Sequence, residues 1–212
     1  MVRRGTLAPD PPPRPRRGSP EETRERLVQA AAECFNRDGF DGTDSNRIAR
    51  AAGYSPGTFY KHFADKVAIF LAVYDEWVSR EWRDVSLTLA EGGTATEQAH
   101  RIVDIFLAHH RRWRGIRASL RALVTTEPTV REVYREQRRR QFVLLDELQR
   151  KLGGPTTSRE ENALLLFSIE RTADAVAEGE AEALGLGEEA LRALLADLVR
   201  RRLEPSRAAP PR

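Results

Sequence analysis

TDSNRIARAAGYSPGTFYKHFADK, residues 43–66, decides the reading of this chain. Ile48, Ala49 and Ala52 give its first half one apolar underside at helical spacing, and Phe59 and Phe63, four apart, do the same for its second half. Between them Gly53 permits a sharp turn, Ser55 stands as a helix cap and Pro56 takes a first helical position. The pattern is two short helices joined by a tight turn. Thr58, Tyr60, Lys61 and His62 remain on the outer side of the second helix. A helix-turn-helix works because the second helix can lie in the DNA major groove while the first braces it across the backbone. The start of the second helix, Ser55–Gly57, offers amides to a phosphate, and Gly57 lets the backbone come close. The Thr58 methyl suits a thymine methyl, and Lys66 stands where it can meet another phosphate.

These residues resemble the DNA-binding domain of the TetR (tetracycline repressor) family. The likeness lies in GFDGT (39–43), IARAAG (48–53) and SPGTFYKHFADK (55–66), and it extends over roughly residues 21–75. It departs at Asp44-Ser45-Asn46-Arg47, where the family commonly has an apolar residue after the threonine. Asp44 fits a helix cap, although an exposed charge there faces DNA badly. The resemblance implies that Thr43, Ser45, Asn46, Ser55, Pro56, Gly57, Thr58, Tyr60, Lys61, His62 and Lys66 form the DNA-binding set. It further implies a homodimer on a palindromic operator. A small-molecule effector would shift the spacing of two reading heads that must enter grooves about 34 Å apart. Regulation would most commonly be repression.

Helical periodicity runs through most of the chain, with no alternating strand pattern, so the expected fold class is all-α with about nine helices. The expected division is a basic, Pro/Arg-rich disordered arm (1–19), a helix-turn-helix domain (20–66), a ligand-binding and dimerisation domain (67–204) and a disordered tail (205–212). Ser19-Pro20-Glu21-Glu22 opens a first helix, which Asp38-Gly39 closes through a left-handed glycine. Asp65 caps a long helix reaching Gly92-Gly93, and Gly153-Gly154-Pro155 is a stop. Five arginines against one aspartate in the first twenty residues carry +4 of a net +3, so the rest of the chain is near neutral. Basicity is therefore local. The arm is either inert or an additional DNA element.

The last helices, about 158–178 and 188–203, are apolar beyond a single stripe, which calls for a second surface to bury. Leu165, Ile169, Ala173, Val176, Leu191, Leu194, Leu195 and Leu198 are the expected dimer interface, the alternative being a thicker monomer core. For the effector, Phe106, His110, Trp113, Arg117, Tyr134 and Arg171 are the candidate pocket residues; core rings and surface salt bridges are the plainer readings of the same residues.

Catalysis is not expected. Cys34 lies on a buried stripe without a partner histidine, and there is no phosphate loop, zinc-ligand spacing or nucleophile elbow. No cofactor or metal is called for. A lone cysteine suits a reducing cytoplasm, and no apolar run approaches the roughly 18 residues of a membrane span. The competing reading is a helical adaptor that keeps the fold without reading specific DNA.

Overall fold

The computed structural model describes residues 19–153 and 157–204. The expected arm and tail, and Gly154-Pro155 of the expected stop, lie outside the described residues. Within them the chain is helical, in the order α1 (Pro20–Asp38), α2 (Ser45–Ala51), α3 (Pro56–His62), α4 (Lys66–Ala90), α5 (Ala95–Arg112), α6 (Arg114–Thr126), α7 (Pro128–Leu152), α8 (Arg159–Ala177), α9 (Glu180–Ala183) and α10 (Glu188–Leu203). The single-turn α9 is the one helix the sequence reading passes over; Gly179, at φ 78°, starts it and Gly185, at φ 71°, follows it.

Helix starts follow local chemistry. Ser19, Thr94 and Ser158 each accept from the amide three residues on, while Glu22, Glu97 and Glu161 reach back to the cap amide, forming three capping boxes. Asp65 Oδ1 accepts from the Ala68 amide at 2.7 Å, as expected of a cap for α4. Gly39 ends α1 at φ 72° and ψ 176°. This differs from the expected left-handed helical conformation: φ is positive but the residue is extended, a region open almost solely to glycine.

Two compact units divide at Val73, inside α4 rather than at its start. The first turns of α4 belong to the first unit because Phe70 closes an aromatic cluster there, its ring centroid 5.2 Å from Phe35 and 5.4 Å from Phe40. Leu27, Ala31, Phe35, Ile48, Ala49, Phe59, Ile69 and Phe70 are wholly buried, so each of the four helices adds an apolar face to one core. At about 1.5–3 kcal/mol per buried large side chain, this core is the main source of the unit's stability.

In the second unit α5 is central, packed by α8 and α10. Val103 and Ala99 of α5, Leu166 and Ala173 of α8, and Leu195 and Val199 of α10 are all within its core. Arg192 of α10 also grips Asp104 of α5 through two bonds of 2.6 and 2.8 Å. No described helix is long and apolar enough to cross a membrane.

Candidate DNA-binding face and ligand cavity

The turn between α2 and α3 is built from backbone bonds. Gly53, at φ 79°, donates to Arg50 O at 3.0 Å, and Tyr54 donates to Ala49 O at 2.8 Å. Ile48, Ala49 and Phe59 are sealed beneath, which fixes the outward face of α3 by default. Ser55, Pro56, Gly57, Tyr60 and Lys61 are exposed on it, together with Asn46 of α2, while Ser45, Thr58 and His62 are half-buried. Tyr60 keeps 57% exposure although its ring meets Phe59 edge-on at 5.3 Å. Its ring is left in solvent beside Lys61.

Three members of the expected set have other work. Thr43 is 2% exposed and its hydroxyl donates to Gly39 O at 2.9 Å, so its side chain ties the end of α1 to the start of α2 and is withdrawn from the surface. Lys66 Nζ donates to Phe40 O at 2.8 Å and lies 4.0 Å over the Phe40 ring, which makes it a strut across the aromatic cluster. Ser55 stands at the cap of α3, but its hydroxyl meets the Thr58 hydroxyl at 3.2 Å and takes no backbone amide. Asp44 caps α2, accepting from the Arg47 amide at 2.8 Å. Arg47 is spent on Asp38 and Gly42 O, whereas Arg50 is exposed and has no ion pair among the described residues. Arg50 was legible as a basic residue on the outer side of α2, and the sequence reading did not take it.

In the second unit the expected pocket residues separate. Arg117, Tyr134 and Arg171 line one cavity of about 200 Å3 between α6, α7 and α8. Phe106 lines a smaller, apolar one of about 60 Å3 with Trp82, Ile102 and Leu166. Trp113 lines neither: it is the junction residue between α5 and α6, half-buried, with the Arg112 guanidinium 5.1 Å over its ring. Arg171 lies at the cavity mouth, ion-paired with Glu180 at 2.7 Å.

His110 is fully buried and belongs to a polar cluster. Asp174 is its centre, accepting from Arg117 Nε and Nη2 at 2.8 and 2.7 Å and from Arg121 Nη1 at 2.9 Å, and pairing with His110 Nδ1 at 2.9 Å. Burial raises the Asp174 carboxyl, but the bonds from His110 and Arg117 outweigh it and hold the group well below the usual carboxylate range. Burial holds the imidazole of His110 below its ordinary value, so it is neutral and donates from Nδ1 to the carboxylate. Its Nε2 faces Glu81 Oε2 at 3.8 Å, and neither atom has a hydrogen-bond partner among the described residues. Burial, with the Glu170 charge added, pushes the Glu81 carboxyl up to about 8. Arg138 binds Glu170 through both of its terminal nitrogens. Glu81 and Arg138 were not singled out from sequence.

The expected dimer residues are also divided. Ile169, Ala173 and Leu195 are within the chain's own core, so they are corrected from interface to interior. Leu165, Val176 and Leu191 are half-buried, and Leu194 and Leu198 are exposed at 65% and 43%. Leu164, 67% exposed, joins them as a free apolar side chain on α8. The reason is that α5 takes one side of both α8 and α10, and sequence periodicity does not say which side.

Residues 27–73, nearly all of the first unit's core, match the model of bacterial regulatory proteins of the tetR family. The transcriptional repressor AcnR of Corynebacterium diphtheriae is 29% identical over 130 residues, 60% of this chain and 64% of that protein. Its counterpart in Corynebacterium efficiens is 28% identical, over 53% of this chain and 56% of its own length. The chain thus spans less than two thirds of these curated relatives. Among solved structures, a TetR-family transcriptional regulator from Rhodococcus sp. superposes with a TM-score of 0.69 at 18% identity, over 87% of this chain and all of that one. A transcriptional regulator from Saccharomonospora viridis, solved with choline, gives 0.68 at 22%, over 84% and 96%. Together, the motif and the matched core make residues 27–73 similar to the tetR family of bacterial regulatory proteins, and the helical architecture is shared with a solved TetR-family regulator.

Proposed function

We propose that this protein is a cytoplasmic transcriptional repressor that binds a palindromic operator as a homodimer and is released by a small-molecule effector. The observation that carries the DNA reading is the face of α3: a buried Phe59 fixes the helix while Pro56, Gly57, Tyr60 and Lys61 stand exposed. Together with Asn46, Arg50, Thr58 and His62, they form a surface of the size and chemistry of a major-groove reading head. Asp44, whose exposed charge faces DNA badly, has a structural task as the cap of α2. Exposed Leu164, Leu194 and Leu198 support pairing through α8 and α10, since each copy of a two-fold interface must bury the same patch. Support for an effector comes from the polar-lined cavity of the second unit. Because α4 contributes residues to both units, a ligand that alters its packing in the second acts on the helix bearing Ile69 and Phe70 in the first.

The test is a footprint and an anisotropy titration of the purified chain on the DNA flanking its own gene. A protected palindrome is expected, with affinity reduced at least about thirtyfold in the double variant Tyr60→Ala, Lys61→Ala, in line with about 1–3 kcal/mol for each groove contact. Unchanged affinity in a folded, dimeric variant refutes the reading.

A further inference from the structure

We infer that the cavity between α6, α7 and α8 is a site for a small carboxylate carrying an aromatic or similarly apolar body. This rests on the reading that an effector acts through the second unit. The lining holds four guanidiniums, from Arg117, Arg121, Arg138 and Arg171, against two carboxylates, Glu170 and Asp174. The two carboxylates are already satisfied. Asp174 takes Nε and Nη2 of Arg117 and Nη1 of Arg121, and Glu170 takes both terminal nitrogens of Arg138. What the lining has left is positive charge on Arg121 and Arg171, and an Nε–H of the nearly buried Arg138 that has no partner among the described residues.

The second terminal nitrogen of Arg121, and Arg171, are held by Glu178 and Glu180, which do not line the cavity. These pairs are solvent-exposed, with the arginine side chains 44% and 60% accessible, and exposed ion pairs are weak. Exchanging them for a ligand carboxylate inside the cavity costs little and gains charge-assisted bonds with fork geometry. The remaining wall is apolar. The Tyr134 and Phe167 rings flank the guanidinium of Arg138, 4.8 and 5.7 Å from it, and half of Phe167 is uncovered. A cavity of about 150 Å3 accommodates benzene. The 200 Å3 available here therefore suits one ring with a short acidic arm. A cation is the wrong sign for this lining, and a neutral ligand leaves the arginines with nothing new to bind.

The experiment is isothermal titration of the full chain with three matched probes: 3-phenylpropionate, 3-phenylpropan-1-ol and 3-phenylpropylamine. The expected result is binding of the acid at least tenfold tighter than either control. That preference should be lost in the double variant Arg121→Gln, Arg171→Gln, whose positions are too exposed to unfold the chain. Absence of binding by the acid, equal binding of alcohol or amine, or an unchanged acid affinity in the double variant overturns the inference. Operator release is measured separately. An acid that binds as stated without releasing DNA leaves the site standing and counts against the effector reading. Release by another compound class, with no acid binding, does the reverse.

Discussion

Glu81→Gln is the sharpest probe of the second unit. The carboxyl is 1% exposed, and Oε2 has no hydrogen-bond partner among the described residues. Its titratable neighbours are the neutral His110 on α5 and the charged Arg117 on α6, Arg138 on α7, and Glu170 and Asp174 on α8. Burial dominates, with Glu170 and Asp174 adding to it against the two arginines, and the folded group titrates at about 8 rather than 4.5. The sign follows from proton counting. Between those two values the folded chain holds a proton that the unfolded chain has released, so unfolding free energy falls as pH rises. A full unit of pKa difference is worth about 1.4 kcal/mol, so the loss from pH 4.5 to 8 is roughly 3–5 kcal/mol.

Glutamine keeps the shape and cannot ionise, so the variant escapes that loss. Urea denaturation of both proteins at half-unit steps from pH 5 to 8.5 should give nearly equal stabilities at the acid end. The variant should then gain on the parent at up to about 1.4 kcal/mol per pH unit above it. His110 works in the opposite direction, since its depressed value makes stability fall as pH drops below its ordinary range, but it is present in both proteins and cancels to first order. A difference that stays flat to within about 0.5 kcal/mol over the whole range would refute the claim that Glu81 is buried uncharged.

Two further outcomes follow from the same geometry. Asp174→Asn leaves Arg117 buried without a carboxylate and turns one of the two acceptor oxygens into an amide that faces donors, so chemical denaturation at pH 7 should show a loss of about 3–5 kcal/mol. Gly57→Ala is a test of function alone: an added Cβ meets only Ser55 Oγ at 4.0 Å, so the fold should hold or gain about 0.5–1 kcal/mol, while affinity for the operator falls because the methyl stands between backbone and DNA.

The first unit was legible because its determinants are short-range. The caps at Ser19 and Asp65, the turn at Gly53 and the spacing of Ile48, Phe59 and Phe63 are all set within a few residues, and each is found where it was expected. Thr43 is one of the exceptions, with Ser55 and Lys66. A hydroxyl beside a motif reads equally well as a contact or as a back-bond to the preceding turn, and only the position of Gly39 O decides between them. The second unit was legible as helices and not as partners. His110 and Arg117 reach Asp174 across 64 and 57 residues, and no local pattern records such a pairing. Glu81 sits among polar neighbours in sequence, and its burial depends on where the other helices land. The stripe of α10 was wide enough for two surfaces, yet nothing within it says that Leu195 goes inward and Leu194 outward.

The polar centre of the second unit is harder to explain as architecture than as a working part. A buried set of ion pairs is generally no more stabilising than apolar side chains of the same volume, because desolvation cancels most of the attraction. Here the cost is compounded by Glu81 and His110, which face each other without bonding. What the arrangement does provide is a connected path. Asp174 lines the cavity and binds Arg121 at its mouth, and it also holds His110, whose other nitrogen faces Glu81 on α4. A ligand that draws Arg121 away leaves Asp174 with fewer donors and changes the hold on His110. On the proposed effector reading, that change reaches Glu81 on α4. A core chosen for stability has no use for such a chain of contacts, whereas one that must register a bound molecule at α4 does.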